Sequence, residues 1–172
     1  PFRQDFIPYG GDYNPDQWLD EPEVLKKDIE LFKKANINVV SLGIFSWAHL
    51  EPEEGRFDFT SLIRMLEGAR RYGLKVIIGT PTYAFPSWLA ELDPDVLALT
   101  RSGSLLYGRR QLIDLLNPTY REYAERVTRK LLEACEPYHD VIIGYQLDNE
   151  TRSAGAMGVV AQNLFREKMK DK

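Results

Sequence analysis

Four short apolar runs, each followed by a stretch with helical periodicity, constrain this chain more than any other feature. Ile7 to Gly11, Val39-Val40-Ser41-Leu42, Lys75-Val76-Ile77-Ile78-Gly79 and Val141 to Leu147 are the runs. Their β-branched residues favour strands. After the first, Leu25, Ile29 and Phe32 recur at spacings of four and three, with Val24, Leu31 and Ala35 widening the stripe. That spacing predicts a helix with one face buried. Asp20, Pro22 and Glu23 have the pattern of a capping box at its start, and Asn36 is its expected terminator. Leu62, Met65, Leu66, Ala69 and Tyr72 predict a second helix stopped at Gly73. A third opens at Asn117-Pro118 and carries Tyr120, Ala124, Val127 and Leu131 on one stripe; a fourth, less regular, runs around Val160 to Met169.

Strands separated by amphipathic helices imply a parallel sheet covered by helices. A doubly wound nucleotide-binding sheet would carry a glycine-rich turn directly after the first strand. Gly10-Gly11-Asp12-Tyr13-Asn14-Pro15 lacks that spacing. A (β/α)8 TIM barrel is therefore the expected fold class. A complete barrel needs roughly 200 residues or more, whereas the 172 residues here supply four βα units and a long loop between the third strand and the third helix. Residues 1–172 are expected to form the amino-terminal portion of a barrel domain.

With 44% hydrophobic residues and a net charge of -4, the chain should bury a core and stay in solution. It has no dense Lys/Arg run, which argues against nucleic acid or an anionic membrane surface as partner and in favour of a neutral substrate. No apolar stretch is long enough to cross a bilayer, and no leader is visible. Cys135 has no cysteine to pair with, as suits a reducing compartment, so a cytoplasmic location is expected and helix packing is its expected role.

Chemistry concentrates where the fourth run stops, at Leu147-Asp148-Asn149-Glu150. The carboxyl ends of barrel strands are where such enzymes keep their reacting groups. Read without context, Asn149-Glu150 is more simply an ordinary strand end with solvated polar residues than a catalytic pair. Other motifs decide between the two. Gly10-Gly11-Asp12-Tyr13-Asn14-Pro15-Asp16-Gln17-Trp18, Gly43-Ile44-Phe45-Ser46-Trp47 with Glu51-Pro52, Thr80-Pro81-Thr82 with Pro86-Ser87-Trp88-Leu89, Gly108-Arg109-Arg110, and Gln146-Leu147-Asp148-Asn149-Glu150 occur in order across nearly the whole chain. Together they resemble the amino-terminal half of the glycoside hydrolase family 42 β-galactosidases.

The resemblance implies a retaining exo-β-galactosidase that removes terminal β-linked galactose from oligosaccharides or galactosides without a cofactor. Glu150 is then the acid/base: it protonates the glycosidic oxygen and later activates water. Asn149 is implied as a donor to the sugar 2-hydroxyl, a contact that strengthens in the transition state. Arg110 is implied as a substrate-site residue, with Arg109 as loop support. The family's nucleophile is a second Glu after strand seven, beyond these residues, so the isolated chain is expected to be inactive. Full-length members are often homotrimers.

Some members hold a zinc through cysteines after the Arg pair and after the acid/base. Gln111 to Leu116 and Thr151 to Gln162 contain no Cys, so no metal site is expected. Some also carry an Arg at the place of Ser41 and a Glu at the place of Ile44, which bears on substrate preference. The alternatives are another retaining barrel glycosidase, such as a β-glucosidase or β-xylosidase, and a non-catalytic sugar-binding or structural half-barrel. Trp18, Trp47 and Trp88 are either sugar platforms or core anchors. Asp12, Asp16 and Glu51 follow strands but are read as turn or cap residues, and His49 and His139 as loop residues.

Overall fold

A computed structural model describes residues 5–104, 106–108, 113–150 and 157–170. In chain order the elements are β1 (Gly10–Asp12), α1 (Pro22–Lys34), β2 (Val39–Leu42), α2 (Trp47–Leu50), α3 (Thr60–Tyr72) and β3 (Lys75–Gly79). There follow α4 (Ser87–Leu92), β4 (Leu99–Thr100), β5 (Gly103–Ser104), α5 (Pro118–Cys135), β6 (Ile142–Gln146) and α6 (Val159–Lys170).

The main sheet has the order β1-β2-β3-β6, and every neighbouring pair is parallel. Spatial order follows chain order, with none of the reversal that defines a doubly wound sheet. Four consecutive βα units therefore form an arc of a (β/α)8 barrel. The arc is tightly drawn at Gly10, where a Cβ would stand 1.7 Å from the Val39 carbonyl oxygen. Only glycine allows the two backbones to come so close.

Two apolar clusters hold the arc. The first joins Val40, Leu42, Val76, Ile78 and Ile142 of the sheet to Leu62, Leu66 and Ala69 of α3 and to Leu131 and Cys135 of α5. The second gathers Trp47, Phe85, Leu89, Val96, Ile113, Tyr120 and Val127 beneath the long segment between β3 and α5. That segment is thus a packed layer with its own core. Helix ends are set locally. Gly73 adopts φ 72°, which lets the Leu74 N–H reach the Ala69 carbonyl at 2.9 Å. The buried Asn117 caps α5, its Oδ1 accepting from the Tyr120 N–H at 2.8 Å, and its Nδ2 donates to Asp93 Oδ2 at 3.1 Å.

Some expectations fail. β1 starts at Gly10 instead of Ile7 because the Asn38 side chain takes the groups a longer strand would pair: Nδ2 donates to the Ile7 carbonyl at 2.9 Å and Oδ1 accepts from the Tyr9 N–H at 2.7 Å. No capping box forms at Asp20. A 3-10 turn over Pro15–Trp18 leads the chain in, so Glu21 is the N-cap, with no side-chain cap bond. No residue of α1 is fully buried, since the helix covers a three-residue edge strand; Ile29 and Phe32 are half-buried and Leu31 is exposed. Tyr72 is likewise exposed at the end of α3, beneath the Lys33 ammonium. The short elements α2, α4, β4 and β5 carry no periodic signal and were not expected.

Candidate active site

β6 departs from regular pairing just before the candidate residues. Val76 faces Ile142 but Ile77 faces Gly144, so Ile143 is an extra residue. A bulge of this kind reverses which face the following side chains take. Tyr145 is turned toward α5, where burial and, secondarily, the Cys135 thiol push its phenol up from the ordinary tyrosine range. Gln146 takes the opposite face.

The chain then turns sharply. Asp148 has φ 60° and Glu150 φ 45°, both in the left-handed region that non-glycine residues seldom occupy. Such positions cost on the order of 1 to 3 kcal/mol each and persist only where surroundings fix them. For Asp148 the fixing groups are visible. The Asp148 N–H donates to Thr80 Oγ1 at 2.9 Å. Gln146 Nε2 donates to the Asp148 carbonyl and to Asn149 Oδ1, each at 3.2 Å. Thr80 is itself buried, and its N–H donates to the Gln146 carbonyl at 2.9 Å. Beyond it, the Tyr120 hydroxyl donates to the Thr82 carbonyl at 3.0 Å. Burial, with the nearby Asp148 charge, pushes the Tyr120 phenol up to about 12, so it remains a neutral donor.

Asn149 and Glu150 therefore stand together at the carboxyl edge of the parallel sheet, Asn149 half-buried and Glu150 exposed. Arg110, like Arg109, lies outside the described residues. Trp47 is fully buried and donates through Nε1 to Glu51 at 3.0 Å, and Trp88 donates to the Glu51 carbonyl at 2.9 Å. Both are anchors. Trp18 is exposed. Asp16 accepts from the Ser46 hydroxyl, a contact between distant segments in place of the expected turn or cap bond, while Glu51 is 0% exposed and ion-paired with Arg126. Ile44 is buried over Gly79, where a Cβ would lie 2.4 Å from the Ile44 side chain. His49 sits in α2, not a loop. The residues given no role by sequence are Thr80 and Gln146. A polar Gln in an apolar strand and a Thr at a strand end were the available signals.

The sequence model of glycoside hydrolase family 42, described as β-galactosidase, matches residues 12–172. The β-galactosidase BglY of Alicyclobacillus acidocaldarius is 41% identical over 173 aligned residues, which cover 100% of this chain and 25% of that protein. GanA of Bacillus subtilis, also a β-galactosidase, is 39% identical over 95% of the chain and 24% of its own length. Among solved structures, a catalytic mutant of Gan42B, a GH42 β-galactosidase from G. stearothermophilus, superposes with a TM-score of 0.93 at 35% identity, covering 98% of this chain and 25% of that one. The β-galactosidase of Bacillus circulans gives 0.89 at 32% identity, over 96% and 24%. The chain spans about a quarter of the length of these relatives.

Proposed function

The chain belongs to glycoside hydrolase family 42, the β-galactosidase family, and on that premise we propose that it is the amino-terminal portion of the catalytic barrel of a retaining exo-β-galactosidase. The observation that carries this reading is the Asn149-Glu150 pair, set by a braced turn at the end of the fourth parallel strand. In the reaction, Glu150 as an acid gives its proton to the glycosidic oxygen while a carboxylate from a later strand attacks the anomeric carbon, so that the bond from that carbon to the glycosidic oxygen breaks and the aglycone leaves as an alcohol. Glu150, now a base, takes a proton from water, and the attacking hydroxyl releases galactose. Asn149 donates to the 2-hydroxyl as positive charge develops on the ring. Arg110 contributes planar, paired hydrogen bonds to the sugar.

No cofactor enters this scheme. The proposed substrate is a terminal β-galactoside of an oligosaccharide or galactoside, and the proposed setting is a cytoplasmic, homotrimeric full-length protein. Among the described residues no helix is long and apolar enough to cross a membrane. Without the second carboxylate the isolated chain should be inactive.

The test is a panel of aryl β-galactoside, β-glucoside and β-xyloside with the full-length protein. Preferred turnover of the galactoside, with retention of anomeric configuration in the first-formed sugar, is the expected result. A preference for another glycone, or inversion, would overturn the reading.

A further inference from the structure

We propose that Gln146 and Thr80 are positioning residues for the reaction: from adjacent strands they hold Asp148 in its left-handed conformation, and Gln146 also orients the Asn149 amide as a donor. This inference rests on the reading of Asn149 as the donor to the sugar 2-hydroxyl. Neither residue needs to touch the sugar.

An L-residue at φ 60° pays a steric cost that something must offset. Asp148 has one N–H and one carbonyl on its main chain, and a side chain is bonded to each: Thr80 Oγ1 to the first, Gln146 Nε2 to the second. The two braces are tied to one another, because the Thr80 N–H donates to the Gln146 carbonyl. The Thr80 hydroxyl is in turn 3.3 Å from that of Thr82. Either hydroxyl can be the donor of that contact, since Thr80 Oγ1 keeps a second lone pair beside the one that accepts from the Asp148 N–H.

Gln146 has a second hydrogen on Nε2, and it goes to Asn149 Oδ1. A primary amide has an acceptor end and a donor end. With Oδ1 engaged by a donor, Asn149 is held in the orientation that keeps its Nδ2 hydrogens for a ligand. Turned over, Asn149 would set Nδ2–H against the Gln146 Nε2–H. The bulge at Ile143 puts Gln146 in position to do this, since without the extra residue its side chain would take the α5 face.

The experiment uses the full-length protein, with kcat and KM measured on an aryl β-galactoside and its 2-deoxy analogue. Gln146→Met keeps the side-chain length and removes both donors. It should lower kcat/KM on the galactoside by about tenfold or more, within the hundredfold that a displacement of roughly 1 Å can cost. The loss should fall on kcat and be smaller on the 2-deoxy substrate, which feels only the loosened Asp148 turn. In an Asn149→Ala background the same change should cost correspondingly less, because the amide it orients is gone. Thr80→Val should lower kcat on both substrates, and Thr80→Ser, which restores the acceptor, should recover it.

Should Gln146→Met fail to fold, Gln146→Glu serves instead. Its protonated form can donate and its carboxylate cannot, so its activity relative to wild type should fall as pH rises through roughly 4.3. A pH-independent ratio would overturn the inference. So would a Gln146→Met loss equal on both substrates while Asn149→Ala discriminates between them, or a Thr80→Ser variant as impaired as Thr80→Val. If Asn149→Ala itself shows no discrimination, the donor reading is what fails.

Discussion

Replacing Glu51 with glutamine should loosen the segment that follows β2 without touching the candidate reacting groups. The Glu51 carboxylate is 0% exposed. Its Oε2 accepts from Trp47 Nε1 at 3.0 Å, and its Oε1 accepts from the Gly55 N–H at 2.8 Å and pairs with Arg126. Glutamine has a single acceptor oxygen. Whichever way its amide turns, a buried N–H is left facing another donor, at a cost of about 1 to 3 kcal/mol. Losing the charge on the Arg126 contact adds roughly 1 kcal/mol, kept small because that guanidinium is about one-third exposed. The sum is about 3 kcal/mol. As local opening this is roughly a hundredfold in amide exchange. Hydrogen exchange of the full-length protein, followed in peptides covering residues 47–56, should show that acceleration. Glu53→Gln is the control, since its pair with Arg56 is exposed on both sides and should be worth little. Equal exchange in wild type and Glu51→Gln would refute the assignment of the carboxylate as the brace of this segment.

Asn117→Ala should destabilise by about 1 to 2 kcal/mol, the usual cost of a lost N-cap, read as a lower thermal midpoint. Burial pushes the Asp93 carboxyl up, but hydrogen bonds from Thr119, Asn117 and the Asp95 N–H outweigh it and hold the group below the ordinary aspartate value. That stabilisation is present above the unfolded value of about 3.9 and lost as pH falls through the lower folded one. The gap between wild type and Asn117→Ala should accordingly narrow on acidification below about pH 4; a gap that widens contradicts the account. Cys135 is buried, and desolvation pushes its thiol up to about 11. It should resist a disulfide reagent at pH 8 in the native protein and react fully on unfolding; fast native reaction would contradict its burial. Arg110→Lys should lower kcat/KM on galactosides, because an ammonium cannot reproduce a planar, paired contact, and unchanged kinetics would make Arg110 a scaffold residue.

The barrel arc was legible because strand and helix periods differ and because glycine, proline and asparagine mark their ends. Gly73 and Asn117-Pro118 act as their types require. Asn149-Glu150 was legible as a polar pair closing the fourth strand, the position to which the proposed chemistry is assigned. What sequence did not carry was interaction across the chain. The late start of β1 depends on Asn38, and the brace on Asp148 depends on a threonine 68 residues away. Nor does strand alternation reveal the bulge at Ile143, since Ile142 and Ile143 are equally apolar. Glu51 was read as a turn or cap residue and is the C-cap of α2, but its role as a buried hub was not legible, because the Arg126 that neutralises it lies on a distant helix.

If Glu150 is the proton donor of a retaining site, Glu150→Gln in the full-length protein must separate the two halves of that role. Glutamine cannot protonate a poor leaving group or activate water. The variant should lose lactose hydrolysis while still forming the glycosyl-enzyme from an activated aryl β-galactoside, whose leaving group departs without help. Azide should then restore turnover and yield a β-galactosyl azide, because the anion attacks without a base. Lactose hydrolysis at the wild-type rate in Glu150→Gln, or no rescue by azide on the activated substrate, would contradict the account.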